Sequence, residues 1–153
     1  MDGLVIRRAT TNDISRIIEL YEELAITASD MEVDRDLQIE DYQVVFVEIQ
    51  STSGYDLLVA DYRGEVVGTV VLLIVPNLSH KASPWAMAEN LIIDRRFRRQ
   101  GIGRILMEYL IKIARDSGCY RIILNSDKRR TEAHHFYRAL GFEASAEGFR
   151  LYF

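Results

Sequence analysis

A basic turn with two glycines joins an apolar strand pattern to the strongest helical pattern of the sequence. The turn covers residues 95–103, and the helix after it repeats apolar residues at i, i+3, i+4 and i+7 from Ile102 to Ile113. The first turn of a helix carries N–H groups without intrahelical partners, and the helix dipole makes that end positive. Glycines let an anion approach the main chain, and arginines offer paired donors to phosphate oxygens. The turn is therefore predicted to hold a pyrophosphate group.

Two common nucleotide-binding motifs do not fit this turn. A dinucleotide fingerprint requires a third glycine three residues after Gly103, where the chain has Leu106. A Walker A loop continues with Lys and then Ser or Thr, whereas Arg104 and Ile105 follow here, and its four-residue spacer is missing. Both motifs are excluded. At this point two glycines are also compatible with nothing more than a tight turn between strand and helix.

The rest of the chain predicts a mixed α/β or α+β domain. Strand patterns cover residues 4–8, 57–61, 66–75, 85–94, 120–124 and 149–153. Helical patterns cover residues 14–24, 34–50, 102–113 and 131–140. Thr10 and Asp13 form a capping pair before the first helix, and Gly118 and Gly141 stand where the last two helices should end. A turn at Arg63-Gly64 predicts a hairpin.

Length and charge narrow the classes of protein. At 153 residues the chain is expected to be one domain, residues 1–153, with a core large enough to fold without disulfides or metal. A net charge of −4 argues against wrapping of duplex nucleic acid. No membrane span or signal peptide is recognised, and the lone Cys119 fits a reducing compartment, so a cytoplasmic protein without nucleic-acid or membrane partners is expected.

The histidines do not predict a metal site. His134 and His135 are adjacent on a predicted helix and point in different directions, and no cysteine or carboxylate completes a ligand spacing. His80 lies in the loop 76–84 and is a candidate for contact with a substrate. We therefore expect no metal.

The turn Arg98–Gly103 matches the signature Arg/Gln-x-x-Gly-x-Gly and resembles the GNAT superfamily of N-acetyltransferases. The resemblance extends to residues 89–94 before the turn and to residues 118–120 and 133–142 after it. It implies a GNAT-like fold, with a central, mostly antiparallel twisted sheet of six to seven strands flanked by about four helices. It also implies acetyl-CoA (coenzyme A) as the cofactor, with its pyrophosphate in the turn. In motif style the chain is similar to the branch of glucosamine-6-phosphate and aminoalkylphosphonate N-acetyltransferases.

The resemblance implies a set of cofactor-binding positions. A bulged strand before the turn would present backbone amides to the pantetheine arm and the acetyl oxygen, from Leu91, Ile92 and Ile93. The turn itself would hold the pyrophosphate with Arg98, Arg99, Gln100, Gly101, Ile102, Gly103 and Arg104. Many members carry Asn three residues before the alanine of the last helix, and this chain departs from them with Arg130. Asn125 is either a substitute contact to the cofactor or a plain turn residue.

Two residues are candidates for catalysis. The family commonly places a tyrosine at the position of Tyr137, as the acid that protonates the departing thiolate; the alternative is a core residue on the helix face of Ala133 and Leu140. Glu89 is the candidate base, because it is the only carboxylate within an apolar strand before Asp94 at its end; the alternative is a cross-strand charge pair. By strict alternation Glu89 shares a face with residues 91 and 93, unless a bulge re-aims it. No Ser–His or Cys–His arrangement suggests an acyl-enzyme, so direct attack in a ternary complex is expected.

The acceptor is expected to be a primary amine of a small molecule. If it also carries an anionic group, Lys128, Arg129, Arg130 and Arg150 are candidates to bind it, although a solvated basic loop fits as well. The resemblance implies a homodimer through C-terminal strands, with Phe149, Leu151 and Phe153 at the interface or at an ordinary core edge. Two other readings stay open: a non-catalytic acyl-CoA-binding regulatory module, and an acetyltransferase for a protein or peptide amine.

Overall fold

The computed structural model describes residues 2–24 and 37–152. The strands are β1 (Leu4–Arg8), β2 (Tyr55–Tyr62), β3 (Glu65–Val75), β4 (Trp85–Ile93) and β5 (Ile122–Leu124). The helices are α1 (Ile14–Glu22), α2 (Ile39–Ser51), the single turn α3 (Ser79–Ala82), α4 (Ile102–Asp116) and α5 (Thr131–Ala139). Short 3-10 turns cover Thr11–Asp13 and Arg95–Phe97. The contacts divide the chain into two compact units, Met1–Ile123 and Leu124–Phe153, and each is described by itself.

The five strands form one sheet in the order β1-β2-β3-β4-β5. The first four pair antiparallel with their sequence neighbours. The connection from β4 to β5 runs through α4, which is the usual way to link two parallel strands. The predicted hairpin is confirmed: Arg63 and Gly64 both have positive φ, the geometry of a tight two-residue hairpin turn. The mixed α/β class is likewise confirmed.

Both faces of the sheet are covered by helices. On one face α1 packs against β3 and β4 and α2 packs against β2, and their side chains join Leu57, Val59 and Val71 in one apolar cluster. On the other face α4 packs against β3 and β4. Because successive side chains of a strand point to opposite faces, covering both makes β3 a nearly continuous apolar run, buried from Val66 to Leu72.

The ends of the helices follow local chemistry that the sequence carries. The Thr10 N–H donates to the Asp13 carboxylate at 2.7 Å, which confirms the capping pair before α1. Gly118 and Gly141 take the left-handed conformation directly after α4 and α5, as predicted. The second helix begins at Ile39 rather than Asp34; residues 34–36 lie outside the described part of the chain.

Two expectations about strands are wrong. Residues 149–152 form no strand, and the described residues give five strands rather than six or seven. The alternation of apolar side chains near Phe149 and Leu151 is that of a strand, but a strand also needs a hydrogen-bonded neighbour. No such neighbour is present within the described residues, and Phe149, Leu151 and Tyr152 are 79–89% exposed.

Among the described helices, none has the length and apolar character that crossing a bilayer requires.

The turn between β3 and β4 stores backbone strain that can be measured. His80, Lys81 and Ala82 have φ of 51°, 58° and 59°, and a left-handed conformation costs an ordinary residue roughly 1–2 kcal/mol. We expect Lys81→Gly to stabilise the protein by about 0.5–1 kcal/mol, because glycine adopts this conformation without penalty. The measurement is the midpoint of urea unfolding. Lys81→Ala is the matched control, since it shortens the side chain and keeps the strain. Equal stability of the two variants would contradict the prediction.

Candidate active site

The N-terminus of α4 has the geometry of an anion site. Gly101 caps the helix with φ of 85°, and no atom lies within 4 Å of where its Cβ would be. The first helical hydrogen bond runs from the Ile105 N–H to the Gly101 carbonyl at 3.1 Å. The N–H groups of Ile102 and Gly103 precede it and have no helical carbonyl to bind. The positive φ of Gly101 is by itself a sufficient reason for glycine at this position of the turn. Gly103 lies inside the helix without positive φ, where the backbone conformation alone does not require glycine.

The arginines around this turn are engaged inside the protein. The Arg98 guanidinium donates through Nη2 to Glu23 at 2.7 Å and through Nε to the Ile93 carbonyl at 2.7 Å. Arg95 donates to the same carboxylate at 3.0 Å. The Gln100 amide donates to the Arg96 carbonyl at 3.1 Å. These side chains shape the turn, so the main-chain N–H groups of α4 are the donors that its geometry offers to an anion.

Asp94 fixes the start of the turn. Its carboxylate is buried and accepts from the Arg96 N–H at 2.8 Å and from the Arg96 guanidinium at 2.7 Å. Arg16 of α1 also donates to it and donates through Nε to the Val66 carbonyl at 3.2 Å. The hydrogen bonds from Arg96, with Arg16 beside them, lower the pKa of Asp94 to about 2. One buried carboxylate thus connects β4, the turn and α1.

A bulge interrupts β4 next to the turn. Thr69 lies opposite Ile92 and Val71 lies opposite Glu89, so Val70 alone faces two residues of β4, Asn90 and Leu91. Asn90 has φ of 54°, a left-handed conformation that asparagine tolerates better than most residues. A bulge leaves its extra residue outside the regular hydrogen-bond ladder. The bulge expected in this strand is therefore present, and it takes main-chain groups out of the regular β3–β4 ladder.

The bulge changes the face on which Glu89 lies. Strict alternation places Glu89 with Ile93, but Ile93 lies over Gly68 whereas Glu89 lies opposite Val71. Gly68 and Val71 are on opposite faces of β3, because they are three positions apart in the strand. The half-buried Glu89 therefore shares the face of Val71, which is the face that α1 covers.

Tyr21 of α1 reaches the same region. Its hydroxyl is hydrogen-bonded to the side chains of Thr69 and Asn90, so it ties α1 to the bulged residue. Burial, with the nearby Tyr55, raises the pKa of Tyr21 to about 12, and the phenol stays protonated at neutral pH. The helical pattern over residues 14–24 does not mark Tyr21 for this contact.

Tyr137 belongs to the second unit, where it lies on α5. It is half-buried, and its ring contacts Phe136 and Phe142 edge-on, with centroids 5.4 and 6.0 Å away. These contacts fix the ring within that unit. They fit the core reading of Tyr137 and leave its role as an acid as a prediction.

The basic segment before α5 is partly self-neutralised. Arg129 donates to the Asp127 carboxylate from its backbone N–H and its guanidinium, at 2.8–2.9 Å, and these bonds hold the pKa of Asp127 far below its usual range. His134 lies 2.9 Å from the Asp127 carbonyl through Nε2. Arg129 is thus engaged within its own loop, whereas Lys128 is exposed. Asn125 is exposed and Arg130 is half-buried next to α5.

His80 takes part in an aromatic stack at the other end of β4. Its ring lies 3.9 Å from that of Tyr120 and nearly parallel to it, and Ser79 Oγ lies 2.9 Å from Nδ1.

Within the residues that the structure describes, no three His, Cys, Asp or Glu side chains are arranged to hold a metal ion.

The geometry agrees with comparisons to known proteins. A family model described as the acetyltransferase (GNAT) family matches residues 14–142. The chain belongs to the GNAT acetyltransferase family. This assignment confirms the resemblance carried by the glycine turn and makes the protein a member of an N-acetyltransferase family.

Individual relatives agree with the family assignment. Glucosamine 6-phosphate N-acetyltransferase of Trypanosoma brucei brucei is 33% identical over 88 residues, which are 58% of this chain and 58% of that protein. The solved structure of a putative acetyltransferase from Agrobacterium tumefaciens has a TM-score of 0.87 at 30% identity, covering 97% of this GNAT chain and 99% of that one. A transcriptional regulator from Bacillus halodurans C-125 has a TM-score of 0.88 at 31% identity, with 98% and 99% covered. The chain thus spans little more than half of the curated relative and nearly all of the two solved structures.

Sequence reasoning missed the residues of α1 that support the GNAT turn. Arg16 and Glu23 contact residues more than 70 positions later in the chain, so no local motif marks them. The one available signal is that both are charged residues beside an apolar helix face.

The buried Asp94 predicts a pH dependence of stability. Its pKa is lowered in the folded state, so the ion pair stabilises the protein above the ordinary carboxylate pKa and ceases to do so as the pH falls through about 2. We expect Asp94→Asn to cost about 2 kcal/mol at pH 7 and clearly less at pH 3, measured by urea unfolding. Asp116→Asn, which removes an exposed pair with Lys112, is the control and should cost little at either pH. A cost for Asp94→Asn that is equal at both pH values would contradict the assignment.

Proposed function

We propose that this GNAT protein transfers the acetyl group of acetyl-CoA to a primary amine of a small molecule, by direct attack in a ternary complex. The observation that carries the proposal is the open N-terminus of α4 at Gly101, reached directly from the bulged strand β4. In this proposal the N-terminus of α4 binds the pyrophosphate, and main-chain groups near the end of β4 bind the thioester. We further propose that residues 1–153 act as one transferase domain.

The main chain does most of the binding in this proposal. The N–H groups of Ile102 and Gly103 bind the pyrophosphate, aided by the dipole of α4. Arg98, Arg99, Gln100 and Arg104 line the same turn, and Asn125 and Arg130 are proposed contacts to the rest of the cofactor. Main-chain amides between Leu91 and Ile93 donate to the thioester oxygen, where negative charge develops in the transition state.

Proton transfers accompany the acyl transfer. The amine nitrogen attacks the thioester carbonyl, a C–N bond forms, and the C–S bond breaks. Glu89, directly or through water, accepts the proton that the amine loses, and Tyr137 donates a proton to the departing thiolate. An acyl-enzyme on the lone Cys119 is disfavoured, because burial raises the pKa of its thiol and reduces the thiolate that would attack.

The proposed acceptor combines an amine with an anionic group. The exposed Lys128 is the proposed partner of the anion, since Arg129 is held by Asp127. The glucosamine 6-phosphate acceptor in the name of the trypanosomal relative is a compound of this kind. We also propose a cytoplasmic protein and a homodimer, the latter because apolar side chains at 149–152 are almost fully exposed.

A second candidate function is a regulatory module that binds acyl-CoA without turnover. The description of the Bacillus halodurans structure as a transcriptional regulator favours it. The two functions share the cofactor turn and differ only in acceptor chemistry.

A thiol-release assay over a panel of amines separates the two functions. The panel includes amino sugars with and without phosphate, aminoalkylphosphonates, free amino acids and a peptide with a free amine. We expect thiol release well above hydrolysis for small amines that carry an anion. Binding of acetyl-CoA without release for any amine would support the module, and the absence of binding would overturn both functions.

The variant Tyr137→Phe tests the proposed acid. We expect kcat to fall about 10²-fold or more, since a positioned acid contributes roughly this much, while the Kd of acetyl-CoA changes little. Phe136→Leu is the control, because it disturbs the same aromatic contacts without removing a hydroxyl. An unchanged kcat in Tyr137→Phe would remove the assignment and leave Tyr137 as a core residue.

A further inference from the structure

Glu23 joins the end of α1 to the phosphate-binding turn. It follows the last residue of α1, and its side chain is only 17% exposed. The carboxylate accepts from Arg95 at 3.0 Å and from Arg98 at 2.7 Å. Arg95 lies in the 3-10 turn after β4, whereas Arg98 opens the glycine signature. One carboxylate therefore binds both ends of the segment 95–98.

Arg98 extends this connection to the sheet. While Nη2 contacts Glu23, Nε donates to the carbonyl of Ile93, the last residue of β4, at 2.7 Å. Its guanidinium thus spans from α1 to the strand that precedes the turn. Arg99, the next residue, has φ of 61°, so the chain turns sharply at the point where this contact ends. The segment between strand and helix is held from both sides.

We propose that Glu23 is a positioning residue for acetyl-CoA, which clamps Arg95 and Arg98 so that the N–H groups at the start of α4 are preorganised for the pyrophosphate. This inference rests on the proposed function. Glu23 itself does not touch the cofactor in this proposal; it acts through the two arginines. Preorganisation matters because ordering a turn during binding costs free energy, and this cost weakens the affinity for acetyl-CoA.

The sign of the effect distinguishes a clamp from simple electrostatics. Removing a carboxylate beside an anion site relieves repulsion and releases two arginines, so Coulomb's law alone predicts tighter binding of acetyl-CoA. Loss of a clamp predicts weaker binding. High salt screens the first effect more than the second.

The test uses the full chain and two variants of Glu23. Glu23→Gln keeps the size and removes the charge; Glu23→Asp keeps the charge and shortens the reach. We expect both to raise the KM and the calorimetric Kd for acetyl-CoA about tenfold, because contacting residues couple by this order. The kcat at saturation and the KM of the amine should stay unchanged. Asp116→Asn, which removes a carboxylate from a pair with Lys112 on α4, should match the wild type.

A double-mutant cycle with Arg98→Met shows whether Glu23 acts through the arginine. If it does, Glu23→Gln causes a smaller further loss in the Arg98→Met background than in the wild type, because only the Arg95 contact remains to be lost. Tighter or unchanged binding in both Glu23 variants would overturn the clamp, and so would equal losses for acetyl-CoA and the amine or full additivity in the cycle. A wild type that binds no acetyl-CoA would instead overturn the proposed function, and the clamp with it.

Discussion

The candidate site depends on the burial of one carboxylate at the end of β4. A buried charge is costly unless it is paired, and Asp94 is paired twice, with Arg96 of its own turn and with Arg16 of α1. Its N–H donates to the Val67 carbonyl at 2.9 Å, so the same residue is also fastened to β3. Strand, turn and helix therefore cannot shift independently without leaving a buried charge unpaired. This requirement places the start of α4 relative to β4, and the anion site follows from it.

The arginine-rich turn shows how a basic motif can serve the fold before it serves a ligand. Arg95, Arg96 and Arg98 contact carboxylates of two distant residues, Glu23 and Glu65, and of the neighbouring Asp94. Their positive charge is thereby largely compensated within the protein. What makes the turn a candidate anion site is the direction of its N–H groups, which we propose the arginine contacts hold in place. Counting basic residues alone would attribute the proposed anion binding to the arginine side chains rather than to the main chain.

The structural features that depend on short stretches of sequence were the ones predicted best. The helix from Ile102 has a strong 3.6-residue period, and the hairpin at Arg63-Gly64 depends on two adjacent residues, so both were predicted correctly. The closing strand was wrong because pairing depends on a distant neighbour that a local pattern does not reveal. The face of Glu89 stayed conditional on a bulge for a related reason: a single extra residue opposite Val70 reverses the alternation, and it leaves no mark in the composition of the strand.

Strained backbone lies on both sides of the proposed thioester position. Asn90 in the bulge and Arg99 in the turn are non-glycine residues that both have left-handed φ. Such conformations persist only where surrounding contacts impose them, and here those contacts are Tyr21 on Asn90 and the arginine pairs beside Arg99. These contacts come from α1 and from Glu23, the residue that follows it. Helix α1 and its end therefore do more than cover the sheet: they contact the two irregular segments from which the proposed main-chain donors come. In a site built from main-chain donors, the residues that hold the backbone are as important as those that would touch the substrate.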